Sequence, residues 1–236
     1  MLPYNYTLAF ENQELGLPLM RPLFFAEPDR PEWTAHATSY LWGADFLVNP
    51  VMQAGQKQAQ IDFPRTSAWF DFYTDQAYAA GSTHTLDLSL QHLPVFVRAG
   101  AFVPMAQPMQ STDQFDARNI DLHYYHDVSV KDARGQMYED DGATPQAFRK
   151  GLYRLFQFGS RYDVQNHDLT FKLKEQRGRL MGKAGTRFNL TVHNIAQAPL
   201  QVMHGQKKLS FEWDAATRQL RFVVTSGGGV VIRLRD

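Results

Sequence analysis

The stretch Arg187–His193 reads RFNLTVH, in which polar and apolar side chains alternate at every position. Residues 218–225, RQLRFVVT, alternate in the same way around Leu220 and Phe222. Successive side chains of a β-strand point to opposite faces, so strict alternation is typical of a strand with one face in the core and one in water. The two stretches therefore predict strands that each contribute one face to a β-sheet core.

Short apolar runs of the same kind extend from these stretches back to about residue 46, and Gly, Pro and Ser separate them. Strands at such spacing are typical of a β-sandwich or a small barrel. Residues 104–118, PMAQPMQSTDQFDAR, are polar and contain two prolines, which predicts a linker between two β series. The glycines at 227–229 are expected to close the last hairpin.

The opening of the chain has a different pattern. Leu2, Tyr6, Phe10 and Leu15 recur close to helical spacing, and Gly16 followed by Pro18 predicts the end of that helix. Residues 19–25, LMRPLFF, predict a short buried strand interrupted by a proline, and residues 33–41 a locally helical segment. A helix followed by a short apolar strand is an α/β fragment.

Composition excludes several classes of function. Lys plus Arg equals Asp plus Glu at 24 each, so nothing electrostatic favours nucleic acid or an acidic lipid surface. The chain has no cysteine, which excludes disulfides and thiolate metal sites. No apolar run reaches the roughly 20 residues that span a bilayer, and the opening residues lack the pattern of a signal peptide. We expect no membrane partner, and the localisation stays open.

Two clusters have residue types that carry chemistry. Glu139, Asp140 and Asp141 precede Gly142, a pattern that suits a calcium site, an acid/base pair or an Asp-Gly turn. The spacing of a calcium loop is absent, so the pattern favours the turn. His123 and His126 lie three apart, on opposite faces of a strand, which disfavours chelation of one ion. The sequence thus predicts no metal site and no cofactor.

Several segments, in one order, resemble motifs of glycoside hydrolase family 31, the α-glucosidase and α-xylosidase group. The segments lie between residue 2 and about residue 153, and they are Leu2-Pro-Tyr-Asn-Tyr6 with GLPLMRPLFF at 16–25, YLWG at 40–43 with FLVNPV at 46–51, WFDFY at 69–73, PVFVRAGAFVP at 94–104, and YEDDG at 138–142 with Gly151 and Tyr153.

The resemblance implies a mostly β chain in three parts. These are a terminal helix–strand remnant of a (β/α)8 catalytic barrel at 1–42, a proximal C-terminal β-sandwich at 43–108 and a distal one at 109–236. The nucleophile and acid/base motifs of the family have no match here, so no catalytic residue is carried over. The implied function is that of a non-catalytic C-terminal region that braces the barrel of a retaining α-glycosidase, and the chain alone is expected to be inactive.

Alternatives from other classes remain open at this point. One is a carbohydrate-binding β module, with Trp33 and Trp213 as candidate sugar contacts because aromatic faces stack on sugars. Another is a purely structural or interaction domain. The expected partners are the catalytic barrel of the same polypeptide, a glycan, and a second copy of the chain that docks through residues 2–25.

Overall fold

The computed structural model describes residues 1–181 and 185–235. Two compact units make up the chain. The smaller unit is Leu17–Ala99, and the larger unit combines Met1–Gly16 with Gly100–Asp236. Strands in several sheets dominate both units, which confirms the predicted mostly β class.

The smaller unit contains eight strands among its described residues. They are β1 (Met20–Arg21), β2 (Tyr40–Trp42), β3 (Phe46–Val48), β4 (Gln58–Asp62), β5 (Trp69–Asp71), β6 (Ala77–Tyr78), β7 (Thr83–Asp87) and β8 (Val95–Arg98). Six form an antiparallel sheet in the order β1-β2-β3-β8-β5-β6, and β4 pairs antiparallel with β7 in a second sheet.

Side chains from both of these sheets share one core. Leu47 and Phe96 from the larger sheet pack in the same cluster as Ile61 of β4, and each is almost fully buried. The Phe63 ring stacks on Tyr78 with centroids 4.8 Å apart and meets Phe96 edge-on at 4.9 Å. Aromatic rings bury large areas, so this cluster supplies much of the apolar burial that holds the unit together.

Two sequence predictions in the smaller unit need correction. Residues 19–25 form only the two-residue β1, followed by a 3-10 turn at Leu23–Phe25, because Pro22 lacks the N–H that would continue the ladder. The predicted helical segment at 33–41 is a 3-10 turn at Pro31–Thr34 followed by β2. Moreover, β1 runs antiparallel to β2, whereas the strands of a (β/α)8 barrel are parallel.

The larger unit has eleven strands and two helices among its described residues. The strands are β9 (Phe102–Ala106), β10 (Asn119–Tyr125), β11 (Asp132–Asp140), β12 (Tyr153–Asp163), β13 (Asp168–Arg177), β14 (Arg187–His193), β15 (Gln201–His204), β16 (Lys207–Lys208), β17 (Glu212–Asp214), β18 (Gln219–Thr225) and β19 (Gly229–Arg233). The helices are α1 (Leu2–Leu15) and the single turn α2 (Ala147–Lys150), and a 3-10 turn covers Thr112–Gln114.

These strands form two sheets around one core. The five-stranded sheet has the order β17-β18-β14-β10-β9, and the six-stranded sheet has the order β11-β12-β13-β19-β15-β16. Phe188 and Leu190 from the first sheet and Phe171 from the second are completely buried in a single cluster. The pairing of β10 with β14 is parallel; the other strand pairs described in this unit are antiparallel.

The predicted opening helix is present as α1. Gly16 ends it with φ 72°, and the Gly16 N–H donates to the carbonyl of Asn12. A glycine adopts this left-handed conformation without the steric cost that a Cβ would add. The buried residues of the helix include Tyr4, Thr7 and Leu8, which differ from the Leu2, Tyr6, Phe10 stripe expected from spacing.

The predicted linker and last hairpin also differ from the structure. β9 extends to Ala106 and includes Pro104, which is tolerated because β9 is an edge strand of its sheet. β18 and β19 belong to different sheets, so residues 227–229 carry the chain from one sheet to the other. Gly227 and Gly228, with φ 102° and 96°, make that turn.

The compact units and the predicted domains divide the chain differently. Helix α1 belongs to the larger unit, because it packs against β11 and β9, and β1 belongs to the smaller unit, because it extends that unit's sheet. The boundary between the β units falls at 99–100, where the sequence predicts 108–109. Neither helix in the described part of the chain is long and apolar enough to cross a membrane.

Candidate functional site

The acidic segment spans the end of β11 and the turn that follows it, so the turn begins later than the sequence predicts: Glu139 and Asp140 are the last two residues of the strand. The Asp140 carboxylate accepts the Gly142 N–H at 2.9 Å, and Gly142 has φ 66°. The Asp141 carboxylate accepts the Thr144 N–H at 2.9 Å and the Thr144 hydroxyl at 2.5 Å. These bonds hold the pKa of Asp141 below its usual value. Both carboxylates therefore accept hydrogen bonds from nearby backbone N–H groups and stabilise the turn.

Asp140 also joins helix α1 to strand β11. The Tyr6 hydroxyl donates to Asp140 Oδ1 at 2.5 Å and the Tyr138 hydroxyl to Asp140 Oδ2 at 2.8 Å. Burial first, and then these bonds to a carboxylate, raise the pKa of both phenols well above their usual range. The Phe10 ring stacks on Tyr138 with centroids 4.0 Å apart. We call Tyr6, Phe10, Tyr138 and Asp140 the tyrosine clamp.

The third carboxylate of the segment is held by a buried arginine. Glu139 Oε2 lies 2.5 Å from Nη2 of Arg154, whose side chain is 3% exposed. Burial raises the pKa of Glu139, and the Arg154 charge opposes that rise. Arg154 also donates to the Thr186 hydroxyl at 3.1 Å. Each of the three carboxylates therefore stabilises the fold through a hydrogen bond or an ion pair, and this arrangement does not favour a role as a catalytic acid or base.

The two histidines of the HYYH segment take different places, as their spacing predicts. His123 Nδ1 lies 2.9 Å from Nε2 of His193 on the parallel neighbour β14. His126 is buried, and its ring meets Tyr162 edge-on at 5.0 Å. Burial lowers the pKa of His126 to about 4. The pairing of His123 with a residue seventy positions away had no signal in the sequence.

The two tryptophans singled out as sugar contacts are both engaged in packing. Trp33 is 5% exposed, its Nε1 donates to Glu27 Oε2 at 2.6 Å, and the Arg30 guanidinium lies 4.8 Å from its ring centroid. Trp213 is half-buried against the core of the larger unit, and its Nε1 donates to the Ile195 carbonyl at 3.1 Å. These contacts favour structural roles for both rings.

A groove that sequence reasoning missed runs over the outer face of the five-stranded sheet. It has a volume of about 680 Å³, and strands β10, β14, β18 and β17 form its floor. Leu209, Ser210 and Phe211, which precede β17, also line it. The polar members of the floor are Asp121, His123, Asn189, Thr191, Glu212 and Arg221. We call this cleft the outer groove.

The smaller unit exposes apolar side chains next to β1. Leu23 is completely buried, whereas Phe24 and Phe25 are 36% and 43% exposed and stack on each other at 5.3 Å. Met20 is 66% exposed. We call Met20, Phe24 and Phe25 the apolar segment. Side chains of this size usually have a partner when they occur together at a surface.

No group of three or more His, Asp or Glu side chains in residues 1–181 and 185–235 is arranged to hold a metal ion.

Comparison with known sequences places the chain beside one family. The model of the glycosyl hydrolase family 31 C-terminal domain matches residues 16–103. Neutral α-glucosidase AB of Dictyostelium discoideum is 30% identical over 232 residues, which cover 93% of this chain and 23% of that protein. An α-glucosidase of Mucor javanicus is 34% identical over 148 residues, which cover 60% of this chain and 17% of that protein.

Solved structures show the same fold. A family 31 dextranase of Flavobacterium johnsoniae superposes with a TM-score of 0.87 at 23% identity, over 98% of this chain and 30% of the dextranase. A family 31 α-xylosidase of Xanthomonas citri gives a TM-score of 0.75 at 24% identity, over 99% of this chain and 23% of that enzyme. The chain spans about a fifth of the length of the first curated relatives that it matches.

Proposed function

Residues 16–103 are a glycosyl hydrolase family 31 C-terminal domain, and the chain corresponds to the C-terminal part of enzymes of that family; from this we propose that it is the non-catalytic region that braces the barrel of a retaining α-glycosidase. The catalytic carboxylates of that enzyme would lie outside this chain. The parent enzyme would hydrolyse or transfer α-linked glycosyl units.

One observation carries the proposal: the likeness to family 31 proteins covers nearly all of this chain but less than a third of each solved enzyme. The state of the carboxylates supports it. A retaining glycosidase needs two carboxyl groups that face the scissile bond about 5–5.5 Å apart. Glu139, Asp140 and Asp141 are the densest carboxylate segment in the sequence, and hydrogen bonds and an ion pair commit each of them to the fold.

The bracing role is supported by the apolar segment of the smaller unit. Leu23 anchors the segment in the core, while Phe24 and Phe25 face outward. Burying a large apolar side chain contributes about 1.5–3 kcal/mol, so these side chains offer a substantial gain to a surface that covers them. We propose that the surface that covers them is the catalytic barrel of the same polypeptide, since β1 and the apolar segment lie within the stretch that matches the family 31 C-terminal domain.

Helix α1 is proposed as the end of that barrel. Its sequence carries the LPYNY motif of the resemblance, and its Tyr6 and Leu15 side chains are 39% and 66% exposed. Docking of a second copy through residues 2–25, the other partner that the sequence predicts, would use the same side chains. The barrel and a second copy of the chain would compete for the same surface, so an experiment can distinguish which of them binds there.

The test uses the proposed catalytic barrel, produced separately from the gene that encodes this chain and mixed with it. We expect the two to co-elute on a sizing column, and the double substitution Phe24→Ser, Phe25→Ser to weaken the complex at least tenfold. Leu200→Ser is the matched control, because Leu200 is an exposed side chain (52%) of the other unit.

Phe24, Phe25 and Leu200 are exposed, so we expect both variants to fold. Thermal melting of the chain alone checks this. Light scattering of the unmixed chain tests the rival occupant, because a dimer lost on the double substitution would assign the segment to self-association. Failure to co-elute, or equal binding by the control and double variants, would overturn the bracing role.

A further inference from the structure

We propose that the outer groove binds a neutral saccharide, a role separate from bracing a barrel. The groove belongs wholly to the larger unit and uses none of the residues in the tyrosine clamp or the apolar segment. Small-molecule sites are concave and carry a few convergent polar groups, and the outer groove, which is open to solvent, has such groups on its floor.

The polar side chains of the floor stand in a row across four strands. His123 on β10 is in register with Thr191 on β14, Thr191 with Arg221 on β18, and Arg221 with Glu212 on β17. Neighbouring strands lie about 4.8 Å apart, so the row presents a new polar group at each such step. A chain of hydroxyl-bearing rings laid across the strands would meet one group after another.

A second row is fixed by hydrogen bonds before any ligand arrives. Asn189 donates to Asp121 Oδ1 at 2.9 Å and to Asn119 Oδ1 at 3.1 Å. Gln107 donates to the same Asp121 oxygen at 2.5 Å. Side chains that are already ordered lose little conformational freedom on binding, which favours affinity.

The chemistry of the rows suits hydroxyl groups. Each sugar hydroxyl can donate one hydrogen bond and accept two. Asp121 and Glu212 supply acceptors, Arg221 supplies donors, and Thr191 supplies both. Acidic and basic side chains are mixed along the floor, so no single sign of charge selects an ionic ligand.

Apolar side chains complete the cleft. Leu209 and Phe211 line it, and Val223, which is 41% exposed on β18, continues the second row in register with Asn189. The C–H faces of a sugar ring pack on such surfaces while its hydroxyls bond at the ring edge. A peptide that adds a strand needs a free sheet edge, and β10, β14 and β18, which form most of the floor, are paired on both sides.

The experiment titrates the whole chain with maltoheptaose, isomaltoheptaose and cellohexaose by isothermal calorimetry. We expect saturable binding of at least one of these neutral sugars. Arg221→Ala and Glu212→Ala should each weaken that binding at least tenfold, because both side chains are exposed contributors to the row. Arg161→Ala is the matched control, since the Arg161 side chain is 77% exposed on β12 in the other sheet.

Melting temperatures within a few degrees of the parent chain establish that the variants fold. No binding of any of the three sugars, or binding that Arg221→Ala and Glu212→Ala leave unchanged, overturns the proposal. Because the measurement requires no barrel polypeptide, its result is independent of the bracing test.

Discussion

At the scale of single residues, burial of one imidazole links the stability of the larger unit to pH. His126 is 4% exposed, and its Nδ1 has no hydrogen-bond partner in the described part of the chain. Burial lowers its pKa from 6.5 to about 4, against the opposing charge of Asp127. Between these values the unfolded chain binds a proton that the folded chain does not. The free energy of unfolding therefore falls as the pH drops from 6.5 towards 4, by about 3 kcal/mol.

Urea unfolding at pH 4.5 to 7.5 measures this effect. His126→Gln should lower stability at neutral pH and flatten the pH dependence, because the side chain no longer titrates. His92→Gln is the control, since His92 is exposed. Equal slopes for the His126 variant and the parent chain would contradict the prediction.

Close backbone contact at Gly178 gives a second prediction at this scale. A Cβ added there would lie 2.3 Å from the Gly151 carbonyl oxygen, and backbone cannot give way as a flexible side chain can. We expect Gly178→Ala to reduce the free energy of unfolding by about 1–3 kcal/mol. At Gly185 an added Cβ would meet no atom of the described residues within 4 Å, so Gly185→Ala should be close to neutral. Denaturant melts of both variants test the contrast, and similar losses would refute it.

At the scale of elements, helix α1 covers the edge strand β11. The Thr7 hydroxyl oxygen accepts the Tyr138 N–H at 3.0 Å, and the hydroxyl donates to the Pro3 carbonyl at 2.8 Å. An uncovered edge strand exposes unpaired backbone groups that invite association. We expect Thr7→Val to cost about 1–3 kcal/mol, because the buried Tyr138 N–H loses its acceptor.

Amide exchange at Tyr138 and thermal melting together measure this loss. Thr7→Ser retains the hydroxyl and should keep most of the protection. If Thr7→Val left both observables unchanged, the contact would have no stabilising role. The sequence predicts that residues 2–25 are the least stable part of the chain or find a substitute partner; for α1 the structure offers β11 as that partner within the chain.

At the scale of the whole molecule, we expect the purified chain to show no turnover of aryl α-glucosides or aryl α-xylosides. The physical reason is that a glycosidase derives most of its rate from two suitably placed carboxyl groups, and the resemblance places both outside this chain. Hydrolysis that scales with protein concentration and survives further purification would contradict this expectation. A catalytically competent α-glucosidase assayed in parallel is the positive control.

The mostly β class of the fold and the likeness to family 31 could both be predicted from the amino-acid sequence. Alternation in RFNLTVH predicts a strand with one buried face, and Arg187–His193 is strand β14 with that face in the core. The turn at Asp140–Gly142 and the helix that ends at Gly16 also follow from local chemistry. Each of these features depends on the conformational preferences of a few adjacent residues, and those residues can be read directly from the sequence.

The pairing of the strands and the contacts between distant side chains could not be predicted in this way. The glycines at 227–229 signal a turn, but whether a turn joins neighbours in one sheet or crosses to another depends on β13 and β15, the distant strands that pair with β19. The outer groove is likewise built from β10, β14, β17 and β18, and the parallel pairing of β10 with β14 spans about seventy residues. Such contacts form because they bury apolar faces together. The free energy of this burial depends on all the side chains of the core, so the pairing of distant strands cannot be predicted from a local pattern in the sequence.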